Sequence, residues 1–236
     1  MHITPDMYVS STSSGSDCDA ASTASDLVCH EFSQPQVALC LGGAARTFVQ
    51  PLVWRSIQTN LMQAFGGAVT VLAAIKASDD RGDRRPSHGG LVSTTVAQIR
   101  MTLRRLGAAD ENTIVAEAQT LPGSLTIPAC QSGRQRATPL TQRQLDLLDS
   151  LAGQLNARRA CSLLLRSAEQ RRGWRFDYVI FARPDLMWAF AIRPFCLWDL
   201  SVSVRKGDWA VMGPRAHADE WLTRNAAEFF EWCALA

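Results

Sequence analysis

Lysine is almost missing from this chain: Lys76 and Lys206 are the only two among 24 basic residues. Positive charge is carried by arginine, whose planar fork matches carboxylates and phosphates in a way that a point charge does not. Histidine is scarce as well. His2, His30, His88 and His217 are dispersed without metal-ligand spacing, which argues against a zinc site. The seven cysteines (Cys18, Cys29, Cys40, Cys130, Cys161, Cys196 and Cys233) contain no C-x-x-C pair, and their odd number argues against a disulfide framework. Cys40, Cys161 and Cys233 fall in apolar patterns and read as free core thiols, so cysteine usage points to a reducing compartment, the cytoplasm. No run approaches the ~18 apolar residues of a membrane span. The first residues lack the basic-then-apolar pattern of a secretory leader. A G-x-S-x-G elbow is absent, and with it the main signature of triad hydrolases.

What is present suits a globular protein. The hydrophobic fraction is 47% and the charged fraction 19% over 236 residues, enough for one sizeable core. A net charge of +2 is too small to argue for bulk nucleic-acid binding. The charge is unevenly spread: residues 81–175 hold fifteen arginines against seven carboxylates. Compositional bias accounts for this most simply, although a basic middle also suits a phosphate-bearing ligand. The run Arg158-Arg159, Arg166 and Arg171-Arg172 has no interleaved aromatics, a poor nucleic-acid stripe, and no nucleic-acid partner is expected.

Residues 1–34 are rich in Ser, Thr, Ala and Asp and read as a disordered tail, because such a stretch buries too little apolar surface to offset its ordering entropy. Residues 35–236 read as one α/β domain, strands alternating with helices around a mostly parallel sheet. Expected strands are Gln36 to Leu41, Ala68 to Ile75, Thr113 to Ala116, the run from Phe176 that stops at Arg183, and Trp209 to Met212. Expected helices are Leu52 to Phe65 after Pro51, Val92 to Leu106, Pro139 to about Arg172 with a division at Gly153, and one from Pro214 onward.

The most informative stretch is Phe176-Asp177-Tyr178-Val179-Ile180-Phe181-Ala182-Arg183-Pro184-Asp185. Its β-branched and aromatic run reads as a buried strand, which Pro184 ends because proline has no N–H to donate. Asp185 then lies in the turn past the strand's carboxyl end, where open α/β sheets bind ligands. A carboxylate there beside Arg183 suits a divalent cation or a phosphate-bearing ligand; a plain turn with a surface ion pair is an equal alternative. Gly42-Gly43, between a strand and a helix, has the placement of a phosphate-cradling turn but matches neither the dinucleotide nor the P-loop pattern. Arg46 and Thr47 would contact a phosphate or base there; tight packing explains the glycines equally well. Asp79, after the second strand, is a candidate for a ribose or metal. Asp208 stands at the wrong end of its strand unless that strand runs antiparallel. His217 and Asp219 read as surface or cap residues of the last helix.

Taken together, Cys40-Leu41-Gly42-Gly43-Ala44-Ala45-Arg46-Thr47-Phe48, the helix bearing Gln154, Asn156 and Cys161, the Arg183-Pro184-Asp185 turn and Gly207-Asp208-Trp209-Ala210-Val211-Met212 resemble a glycosyltransferase-like group. That group has the nucleotide-diphospho-sugar transferase (GT-A, Rossmann-like) fold and occurs in algae, plants, microbes and large viruses. The resemblance spans about residues 36 to 231. It implies a nucleotide-diphospho-sugar donor, an unidentified glycan or protein acceptor, and Mn²⁺ or Mg²⁺ held by an Asp-x-Asp turn. Gly42, Gly43, Arg46 and Thr47 would then lie at the nucleotide, Asp185 at the metal, Arg183 in the catalytic machinery and Asp208 at the acceptor as a base. The chain departs from that pattern in one respect. Arg183 replaces the first carboxylate of the turn, and Phe181 stands where the group often has the first Arg of Arg-x-Arg-x-Asp. A degenerate binding domain and a Rossmann-like methyltransferase or nucleotide-binding enzyme are the alternatives.

Overall fold

The computed structural model describes residues 33–77, 94–117, 121, 141–207 and 209–235. The expected tail therefore lies outside the described residues except for its last two positions. Six strands form one sheet in the order β3-β2-β1-β4-β6-β5. They are β1 (Gln36–Ala44), β2 (Ala68–Lys76), β3 (Thr113–Ala116), β4 (Tyr178–Ala182), β5 (Val204–Lys206) and β6 (Ala210–Pro214). β1, β2, β3 and β4 run parallel, whereas β6 is antiparallel to both β4 and β5. The mixed, mostly parallel α/β sheet flanked by helices is thus the architecture the alternating pattern implied.

The helices are α1 (Pro51–Ser56), α2 (Val96–Arg105), α3 (Gln142–Arg172), α4 (Arg215–Asp219) and α5 (Asn225–Leu235). Strand periodicity divides the core into two layers. Leu39, Leu41, Tyr178 and Ile180 face α2 and the π-helical continuation of α1 (Ile57–Gln63) through Ile57, Leu61, Ile99 and Leu103. Cys40, Val179, Phe181 and Val211 face α3 through Ala157, Cys161, Leu164 and Leu165. Both faces of β1 and β4 are covered, which is why their sequences read as continuous apolar runs rather than alternating ones. Tyr178 is the polar exception: it stacks on Phe65 at 5.4 Å, and burial, with the Asp199 charge adding, pushes its pKa up to about 12.

Three expectations about the helices need correction. α2 and α3 start at Val96 and Gln142, later than apolar periodicity alone suggested, because Thr95 with Gln98 and Thr141 with Gln144 form capping boxes. α3 runs through Gly153 without a break, since its buried face against the sheet outweighs the ~1 kcal/mol that a helical glycine costs. The helix after Pro51 widens into a π-helical segment, Ile57–Gln63, as does the last one over Glu220–Arg224. The first widening has a partner: the Ile192 N–H donates to the Asn60 carbonyl at 2.9 Å, in the segment that follows β4.

The free-thiol reading is overturned for Cys40 and Cys161, and the side chain of Cys233 lies outside the described ones. Cys40 on β1 and Cys161 on α3 form a disulfide with a Cα–Cα distance of 6.0 Å, and Cys196 is disulfide-bonded too. The two half-cystines lie 121 residues apart, so no local spacing announces the pair; it follows from both pointing into the same layer. The expectation of a reducing compartment loses its support. Among the described residues, no helix is long and apolar enough to cross a membrane.

At the amino end of β4, Arg215 and Glu169 form a bidentate pair at 2.7 and 3.0 Å, with side chains 6% and 10% exposed. Glu169 also accepts the Phe176 N–H at 3.2 Å. Because the pair is buried, loss of Glu169 leaves the Arg215 guanidinium, among the described residues, with only its longer, 3.3 Å bond to Asp219. Glu169→Ala is expected to cost about 3–5 kcal/mol in urea unfolding. For the disulfide, C40A/C161A is expected to lower stability by about 2–5 kcal/mol under oxidising conditions. The wild-type and variant urea midpoints should then converge in dithiothreitol.

Candidate functional site

β1 lies at the centre of the parallel strands, with β2 on one side and β4 on the other. The chain leaves β1 toward β2 through helices on one face and reaches β4 from α3 on the other. Between the carboxyl ends of β1 and β4 the connections diverge, which defines the topological switch point where open α/β sheets bind ligands. The residues just past those two ends are Ala45-Arg46-Thr47 and Arg183-Pro184-Asp185.

These two short segments are tied together around one carboxylate. Arg183 donates from Nε to Asp185 Oδ1 at 3.0 Å and from Nη2 to Oδ2 at 2.8 Å. Arg46 donates from Nη1 to the same Oδ2 at 3.0 Å. Thr47 Oγ1 donates to the Asp185 backbone carbonyl at 3.1 Å. Asp185 is 9% exposed, whereas Arg183 and Arg46 are 20% and 36% exposed, so the carboxylate lies beneath the two guanidiniums. A partly buried bidentate pair of this kind is worth more than a surface ion pair. The reading of Arg183 and Asp185 as a plain surface pair therefore does not describe the site.

Arg46 has φ 25° and is the one non-glycine with positive φ among the described residues. Backbone in that region costs an L-residue on the order of 1 kcal/mol or more and persists only where its surroundings hold it. Here the Thr94 hydroxyl donates to the Arg46 carbonyl at 3.3 Å and the Ala45 N–H donates to the Lys76 carbonyl at 2.8 Å. The Asp185 turn is anchored on its other side by α1 and the π-helical segment. Trp188 N–H donates to Ser56 Oγ at 2.9 Å, and Asn60 Nδ2 donates to the Trp188 carbonyl at 2.6 Å.

Gly42 and Gly43 lie within β1 rather than in a loop opening a helix. A Cβ on Gly42 would come 2.5 Å from Phe181 Cε2 and 3.4 Å from Ala157 Cβ. Close packing of β4 and α3 thus accounts for that glycine. Gly43, at φ 136°, needs its conformational freedom to turn the chain toward Arg46. Asp79 and Asp208 lie outside the described residues. Trp209, which follows Asp208 in the chain, is described: Arg183 N–H donates to the Trp209 carbonyl at 3.0 Å, and the Trp209 side chain is half-exposed. β6 therefore runs antiparallel and brings its amino end to the site, the condition on which Asp208 was considered.

Two further basic residues, Lys76 and Arg158, also belong to this end of the sheet. Lys76 closes β2, and its Nζ lies 3.9 Å from where a Cβ on Gly153 would be. Arg158 is buried on α3 with its guanidinium carbon 5.3 Å from the centroid of the Phe181 ring. That burial removes Arg158 from any surface stripe. Arg166 pairs with Asp219, and Arg172 donates to Thr70 Oγ1, so the stripe is dispersed into separate contacts. Asp219 and His217 follow β6, at the opposite end of the sheet from Asp185.

Asp185 was expected at a metal. As arranged, both its oxygens accept from guanidinium, and among the described residues no group of three His, Cys, Asp or Glu is placed to hold a metal ion. These side chains do not fit a divalent cation. Comparison of the chain with protein-family models, curated proteins and solved structures gives no match.

The strained backbone yields a test. Arg46→Gly and Arg46→Ala both remove the guanidinium, but only glycine accepts the left-handed φ without penalty. The glycine variant is expected to be more stable than the alanine variant by about 1 kcal/mol in urea unfolding.

Proposed function

We propose that the chain is a glycosyltransferase, moving a sugar from a nucleotide-diphospho-sugar to a hydroxyl acceptor of unidentified identity. The observation that carries this reading is the convergence of Arg46, Arg183 and Asp185 at the switch point between β1 and β4. Fixed cationic groups at that crevice suit a ligand that is anionic when bound and more so as it departs. In the transfer, the acceptor oxygen bonds to the anomeric carbon while the bond from that carbon to the diphosphate oxygen breaks. Its electron pair stays on the diphosphate, and the acceptor proton passes to a base. Stabilising the departing diphosphate is the main electrostatic demand of the step, and guanidiniums already oriented need little reorganisation to meet it. Asp208 is the proposed base. Trp209, half-exposed beside Arg183, supplies an apolar face suited to a sugar or nucleobase ring.

The degenerate binding domain is favoured by the substitution of Arg183 for a carboxylate, and one experiment separates the readings. In a thermal-shift panel of UDP, GDP, CMP and S-adenosylmethionine, one nucleoside diphosphate is expected to stabilise the protein. At ~100 times its dissociation constant the gain is about 2.7 kcal/mol. Hydrolysis or transfer of the matching nucleotide-sugar should follow and should disappear in Asp185→Ala. Silence across the nucleotides would indicate the degenerate binding domain, and a shift with S-adenosylmethionine alone would indicate the methyltransferase.

A further inference from the structure

Asp185 shares both oxygens with arginine, and this has a consequence for how the diphosphate is held. We propose that arginine takes the place of the divalent cation: Arg46 and Arg183 bind the diphosphate directly, and Asp185 is a positioning residue that orients them. The inference rests on the transferase reading above and specifies the chemistry of its donor site.

Four observations carry it. Three guanidinium N–H donors converge on the two oxygens of Asp185 at 2.8–3.0 Å. A cation ligated there would have to displace those donors and then sit against two guanidinium charges. The carboxylate is the most buried member of the cluster and the guanidiniums are the exposed ones, so an arriving ligand meets arginine before it meets carboxylate. The planar guanidinium fork matches an edge of a phosphate, and charge-assisted pairs of this type are among the strongest hydrogen bonds proteins make. Finally, the chain holds Arg46 at a positive φ, with Thr94 bonded to the Arg46 carbonyl and Thr47 bonded to the Asp185 carbonyl. The Thr47 contact ties the turn bearing Asp185 to the turn bearing Arg46, and the Thr94 contact holds the Arg46 carbonyl in place. A merely structural ion pair has no need of this backbone.

The test is calorimetric titration of the full chain with inorganic pyrophosphate, once in EDTA and once in Mg²⁺. The expected result is saturable binding in EDTA. Arg183→Gln and Arg46→Gln should each weaken that binding by about tenfold or more, as loss of a charge-assisted hydrogen bond implies. Near-UV circular dichroism of both variants should match the wild type. Asp185→Asn should bind with the same indifference to Mg²⁺ as the wild type. Binding that requires Mg²⁺ in the wild type, with the requirement lost in Asp185→Asn, would make Asp185 a ligand and overturn the proposal while leaving the donor reading intact. Binding in EDTA that neither arginine variant weakens would also overturn it. Failure to bind pyrophosphate in either buffer would overturn both readings.

Discussion

The parallel pairing of β1 with β4 is the contact on which the rest of the site depends. It aligns Leu41 with Ala182 and so brings Arg46 within 3.0 Å of Asp185, 139 positions away along the chain. Each strand contributes a short apolar run buried on both faces, and their mutual ladder ends at Leu41 and Ala182. Gly43 turns the first, and Pro184 stops the second. The ladder supplies register and direction; the residues past its end supply charge. Moving the β4 register by one residue would place Phe181 on the wrong layer and carry Arg183 away from the crevice.

The two ends of the sheet use charge differently. At the carboxyl end of β4, one carboxylate lies under two partly exposed guanidiniums, and the cluster opens toward solvent. At its amino end, Glu169 and Arg215 are closed in and also satisfy the Phe176 N–H, leaving no route for a ligand. Burial distinguishes an ion pair that organises a surface from one that fastens a fold. The scarcity of lysine is consistent with both uses, since each depends on a planar fork binding a carboxylate through two parallel bonds.

Much of this was legible in the chain. The parallel strands announced themselves as apolar runs, β3 coincides with Thr113 to Ala116, and the apolar run together with Pro184 placed Asp185 in the turn past β4. What escaped has physical causes. β5, three residues of which two are exposed, has no apolar periodicity to read. The π-helical widening coincides with the Ile192 N–H donating to the Asn60 carbonyl, a contact 132 positions away. The role of Gly42 as a seat for the Phe181 ring, and the pairing of Cys40 with Cys161, are likewise properties of packing between distant elements. The capping boxes at Thr95 and Thr141 were written in the sequence as Thr-x-x-Gln and were obscured by apolar residues upstream.

The covalent link from β1 to α3 also changes what an intact molecule means. Every peptide bond between Cys40 and Cys161 lies inside a closed ring that contains β2, α2 and β3. One proteolytic cut in that ring on the carboxyl side of Arg46 yields two fragments still joined, one bearing Arg46 and the other Arg183 and Asp185. Chain continuity and site integrity are therefore separable: a nicked molecule would migrate as one species until reduced, with both halves of its arginine cluster still tethered to each other.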